Sequence, residues 1–143
     1  MSMYDIEALE SRVMKKLLAG DHPILGILRS QFLESRVVKR EFTGVGFFTS
    51  FAVTDNAPQI KPSMRIVIGD VSGDFEGLEM GCGFILFVNG GILDTLECHL
   101  WGDLIMPENA KCTRLYYTRK PNDLGIRETK ERDMQAVNAI LDK

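Results

Sequence analysis

Glu97, His99 and Glu79 are residue types that general acid–base chemistry uses, and two of them stand at a spacing that serves it. A carboxylate beside an imidazole holds the ring in one tautomer and raises its basicity, which suits proton transfer near neutral pH. Residues two apart on a strand project from one face, so Glu97 and His99 can meet if their segment is β. Glu79, from the turn before the preceding strand, is the third candidate member. The plainer reading is a polar pair on a strand surface with no chemistry.

A second arrangement sets Cys82 against His99, where the imidazole would draw out a thiolate nucleophile. It depends on the register of one hairpin. With Gly90-Gly91 as the two-residue turn, Asn89 pairs with Ile92 and Cys82 falls opposite His99. With Asn89-Gly90 as the turn every pair shifts and the two separate. Cys98 points to the opposite face from His99 and cannot serve. The plainer reading of Cys82 is a buried, inert thiol.

Asp70, Asp74, Glu76 and Glu79 form a spaced acidic run. An EF-hand loop starting at Asp70 would need glycine sixth and glutamate twelfth, but Phe75 and Gly81 stand there. A solvated turn is the better reading, and no metal site is expected. The glycine pairs at 44/46 and 81/83 complete neither GxGxxG nor GxxxxGK[ST], and no helix follows either pair to hold a phosphate. In a sheet such glycines mark bulges and close backbone approach. No cofactor is implied.

The elements that must position these residues are legible in part. The 143 residues suit one compact domain, 1–143, and 45% apolar with 26% charged composition is that of a chain with an ordinary core. A net charge of −3 gives no general attraction to a phosphate backbone, and Arg114, Arg119, Lys120 and Arg127 lie among acids, so no nucleic-acid partner is expected. The N-terminal segment lacks the apolar core of a signal peptide, and the longest apolar run, FILFV, is far short of a membrane span. Cys82, Cys98 and Cys112 are odd in number and widely spaced, which argues against a disulfide framework or structural zinc. A cytoplasmic protein with reduced, mostly buried thiols is expected.

Ile6, Leu9, Val13 and Leu17 recur at helical spacing, with Glu7, Glu10, Arg12 and Lys16 off that line, and predict a helix over 4–18. Asp21 is the expected cap of a second helix, with Pro23 in its first turn and its end near Ser35. The short break implies an αα-hairpin. β-branched and aromatic residues then predict strands near 36–43 and 46–53, a loop to residue 63, and a strand over Met64–Ile68. Residues 69–81 read as an acidic, turn-rich connection with room for a short strand inside it. Phe84–Val88, the Asn89-Gly90-Gly91 turn and Ile92–Trp101 form a hairpin. A strand over Cys112–Arg119, a stop at Lys120-Pro121-Asn122-Asp123 and a helix over 128–142 complete the chain.

Short connections favour antiparallel pairing. The expected class is therefore α+β: a meandering antiparallel sheet of five or six strands, with an N-terminal helical hairpin and a C-terminal helix packed on it. FILFV does not alternate, so both flanks of its strand should be covered, by a curled sheet, a loop or a second copy. In strand 92–101, Leu93, Thr95, Glu97, His99 and Trp101 share one face, and that face is where a site is expected.

The blocks FTGVGFFTSF (42–51), MRIVIGDVSGDFEGLEMGCGFILFV (64–88) and LDTLECHLWGD (93–103) resemble those of a family of small uncharacterised bacterial proteins. These carry TGVGFFT-like and GLExGxGFxLFV-like blocks after a helical N-terminus. The resemblance brings no established activity and no catalytic residue. By analogy, small acidic α+β proteins of bacteria include immunity proteins of toxin systems. Two functions follow as expectations. One is a non-enzymatic binding or accessory protein with a protein partner, or forming a homodimer. The other is a small hydrolase or isomerase using Glu97 and His99 as its acid–base pair.

Overall fold

The computed structural model describes residues 3–119 and 126–143. Helix α1 (Ile6–Leu17) buries Leu9, Val13, Met14 and Leu17, as its apolar spacing requires. Helix α2 (Pro23–Leu33) follows after a glycine, so the helical hairpin forms. Its cap is His22, not Asp21. Proline at 23 disfavours helical backbone in the residue before it, which places the cap at 22. His22 Nδ1 accepts the Ile24 N–H at 3.1 Å, which leaves its proton on Nε2 to be donated to Asp142 at 2.7 Å.

Seven strands follow: β1 (Ser35–Phe42), β2 (Gly46–Val53), β3 (Ile66–Phe75), β4 (Cys82–Asn89), β5 (Ile92–Leu100), β6 (Cys112–Arg119) and β7 (Arg127–Thr129), and helix α3 (Met134–Leu141) closes the chain. All pair antiparallel in one open sheet of order β1-β2-β5-β4-β3-β6-β7. The class is α+β as the patterning predicts, with one or two strands more than expected. The additional pairing lies in two places. The acidic connection after Ile68 continues as strand to Phe75, across a bulge at Gly69-Asp70 where pairing steps from Ile68↔Leu86 to Val71↔Phe84. Its carboxylates are compatible with a sheet because arginines meet them. The last helix begins at 134, not 128. Arg127–Thr129 pairs with β6 instead, and Asp133 caps α3 by accepting the Ala136 N–H at 3.1 Å. The stop expected at Lys120–Asp123 lies outside the described residues.

The core lies between one face of the sheet and the pair α1 and α2, with α1 against β3 and α2 against β5 and β1. In FILFV, Phe84, Leu86 and Val88 point into it and are fully buried. Ile85 and Phe87 lie on the opposite face, only half-buried. Helix α3 borders this flank, where Val137 and Ile140 line a cleft beside Ile85, so the cover expected over the second flank is only partial. Pairing with β6 begins only at Val71, and α3 packs against β3. Among the described residues, no helix is long and apolar enough to cross a membrane.

Candidate functional site

The open face is built by cross-strand rows. Lys39, Ser50, Thr95, Phe87 and Val67 form one row. Glu41, Phe48, Glu97 and Ile85 form the next. Gly46, His99, Gly83, Ser72 and Tyr116 form the third. Glu97 and His99 thus share a face, as their spacing requires. Glu97 stands half-buried between Phe48 and Ile85. His99 is exposed and flanked by two glycines, so no side chain of an adjoining strand lies directly beside its ring. Neither makes a hydrogen bond or ion pair to the other, or to Glu79, which is exposed on the turn before β4.

The hairpin uses Gly90-Gly91, both at positive φ, and Asn89 pairs with Ile92. A Cβ at Gly91 would meet the Ile60 carbonyl oxygen at 2.3 Å, so only glycine fits there. Even so, Cys82 does not face His99. Pairing steps by one between Val88↔Leu93 and Phe87↔Thr95, so Cys82 lies opposite Leu100 and Gly83 opposite His99. The same bulge turns Leu93 into the core, away from the Glu97 face where alternation alone would place it. Gln31 explains why the bulge is tolerated. Pairing of β2 with β5 ends at Thr95, and the Leu93 N–H beyond it donates to Gln31 Oε1 at 2.9 Å. Gln31 Nε2 in turn donates to the Gly91 and Pro58 carbonyls at 2.9 and 3.0 Å. This fully buried amide pins α2 to the hairpin.

Cys82 and Cys98 are buried core thiols, and Cys112 is half-buried. Burial, with the Cys82 thiol beside it, pushes the Cys98 pKa well above its ordinary value, and burial raises that of Cys112. Such thiols stay protonated and unreactive near neutral pH. The acidic run is likewise spoken for in part. Arg132 grips Asp70 with two bonds of 2.8 and 2.9 Å, and Arg114 meets Asp74 at 3.1 Å. Tyr116 donates to Asp74 at 3.2 Å, and burial together with that carboxylate pushes its hydroxyl up to about 12. Among the described residues no three acids, histidines or cysteines converge as metal ligands.

One polar cluster escaped the sequence reading. Glu10 is 4% exposed, although the helical wheel drawn through Ile6, Leu9, Val13 and Leu17 leaves it off the buried line. It accepts from Arg40 Nε and Nη2 at 2.9 and 2.6 Å and from the hydroxyl of buried Thr49. The available signal was Met14, also fully buried, four residues on from Glu10 and widening the stripe. The cluster ties α1 to β1 and β2. Its carboxylate is saturated with donors, which makes it a structural clamp and a poor proton shuttle. Compared with known proteins, the chain matches no family model, no curated protein and no solved structure.

Proposed function

We propose that this chain is a non-enzymatic binding protein of the bacterial cytoplasm, of immunity or accessory type, that holds a protein partner on the open face of its sheet. The observation that carries the reading is the row pair Val67–Phe87 and Ile85–Phe48. These apolar side chains lie on a face that α3 borders at Ile85 but does not bury, and Val67 is 50% exposed. Apolar surface of this kind, rimmed by charge, favours a partner. The charges favour a different protein over a second copy. Glu41 and Glu97 lie in the central row, and a two-fold copy centred there would set Glu97 near itself. A partner with an apolar patch and cations opposite these two carboxylates fits better. The acid–base alternative rests only on Glu97 and His99 sharing a face. It needs the two in contact within a concave site, and they make no bond.

The test is co-purification with a candidate toxin or accessory protein co-expressed with the chain. Val67→Asp combined with Glu97→Lys should abolish the complex, while Val38→Asp, on the exposed bulge of edge strand β1, should leave it intact. Retention of the complex by the double variant overturns the reading. So does sedimentation showing a stable wild-type dimer that Val67→Asp dissociates, since a second copy would then own the face.

A further inference from the structure

Between α1 and β6, on the helix side of the sheet, lies a cleft of about 460 Å³, within the range of small-molecule sites. Leu115, Tyr117 and Ala19 give it an apolar wall, and Arg12, Lys15 and Lys16 stand along α1. Arg12 precedes the two lysines by three and four positions, so all three reach the same side of the helix. Among the described residues no aspartate or glutamate lines the cleft. Arg114, also at its edge, is spent: Glu128 accepts from it at 2.7 and 2.9 Å, and Asp74 at 3.1 Å. Arg12 and Lys15 make no hydrogen bond or ion pair among the described residues. Lys16 Nζ has only the ring of Tyr117, 4.5 Å from its centre.

Lysines in a last helical turn ordinarily answer the carbonyls exposed there. Here other donors already take those carbonyls. Tyr117 Oη donates to the Lys16 carbonyl at 2.7 Å, and Arg132 to that of Ala19 at 2.7 Å. Arg29 donates to the carbonyls of Leu18 and Gly20. The end of α1 therefore keeps its lysine charges unspent, in a chain whose net charge is −3. Cations gathered without an acid repel one another, and an anion seated among them relieves that repulsion.

We propose that this cleft binds a small phosphate monoester, with its phosphate on Arg12, Lys15 and Lys16 and its organic group against Leu115 and Ala19. Three free cations suit the roughly 1.5–2 negative charges of such an ester near pH 7 better than the single charge of a carboxylate. The planar fork of Arg12 can meet two phosphate oxygens at once. Lys16 is already posed over Tyr117, so less freedom is lost when the anion arrives. The apolar wall favours an ester over free phosphate. The inference is independent of the protein-docking reading, since it concerns the opposite side of the sheet and a different class of ligand.

The probe is phenyl phosphate, titrated into the ¹⁵N-labelled protein and measured in parallel by calorimetry, with inorganic phosphate and phenyl sulfate as comparisons. Saturable shifts are expected at the amides of residues 12–19 and 113–117, with those of β5 unmoved. Inorganic phosphate lacks the organic group and phenyl sulfate carries one charge, so each should bind roughly fivefold or more weakly. Arg12→Gln and Lys15→Gln break no bond of the fold and should each weaken binding about tenfold, as for one charge-assisted hydrogen bond. Lys61→Gln removes the same charge from the exposed loop before β3 and should bind as the wild type does. The proposal is overturned if phenyl phosphate gives no saturable shift at millimolar concentration, or if Arg12→Gln and Lys15→Gln bind as the wild type does. It is overturned equally if Lys61→Gln weakens binding as much as they do, or if either comparison anion binds as tightly as the ester. Phosphatidic acid carries the same phosphate monoester on a lipid. The chain should not sediment with phosphatidylcholine vesicles containing it, and sedimentation with them would assign the cleft to a membrane surface instead.

Discussion

Replacing Arg40 by methionine tests how the Glu10 clamp contributes. The Glu10 side chain is 5% exposed and that of Arg40 26%, so the carboxylate depends on its partner far more than the guanidinium does. Arg40→Met strands a buried charge with only the Thr49 hydroxyl for company. Such a loss costs roughly 3–5 kcal/mol. Glu10→Leu is milder, because Arg40 can turn toward water, and it leaves chiefly the Thr49 hydroxyl unpaired at about 1–3 kcal/mol. Removing all three polar groups together, as Glu10→Leu/Arg40→Met/Thr49→Val, leaves neither a stranded charge nor a stranded donor. That triple variant should lie within about 2 kcal/mol of wild type, since apolar replacements of buried ion pairs are often neutral or better. Urea unfolding followed by Trp101 fluorescence and far-ultraviolet circular dichroism measures the series. With a slope of about 2 kcal/mol/M, Arg40→Met should lower the midpoint by roughly 1.5–2.5 M. A loss below about 1 kcal/mol for Arg40→Met, or a triple variant as unstable as that single one, would refute the reasoning.

Two further outcomes follow from the same physical picture. Gln31→Leu leaves the Leu93 N–H without a partner in the interior, and should cost about 1–3 kcal/mol. Hydrogen exchange should show the Leu93 amide losing protection first; an amide still protected in the variant would contradict the role given to Gln31. In an ultraviolet titration, Tyr116 should ionise only near pH 12, and Tyr116→Phe should remove that step. Its folded-state value lies above the unfolded one, so its contribution to stability is present below about pH 10 and is lost as pH climbs toward 12. Ionisation of all tyrosines near the ordinary phenol value would show that the Asp74 contact does not form in solution.

What local chemistry specifies was legible. Helix α1, a hairpin turning over Asn89-Gly90-Gly91 and the antiparallel α+β class follow from apolar spacing and turn residues that act over a few positions. The open face of β5 was also legible in outline, because alternation places Thr95, Glu97 and His99 together whatever else the fold does. Residues 69–75 look like a polar connection until Arg132 and Arg114, distant in sequence, neutralise Asp70 and Asp74 within the sheet. Residues 127–129 join β6 as a strand, although helical spacing extends the last helix back to 128.

The sequence alone determined the helical hairpin, the extended segments on either side of the Asn89-Gly90-Gly91 turn and the alternation of Thr95, Glu97 and His99, because those properties arise between neighbours three, four or two positions apart. Tertiary structure alone decided the strand order, the one-residue step that parts Cys82 from His99, and the pairing of Glu10 with Arg40. Each depends on a partner 30 or more positions away along the chain: Gln31 lies 62 residues from Leu93, and Glu10 lies 30 from Arg40. No local pattern encodes such a partner. A buried amide or carboxylate shows its role only once the fold has removed water and left one group to bond.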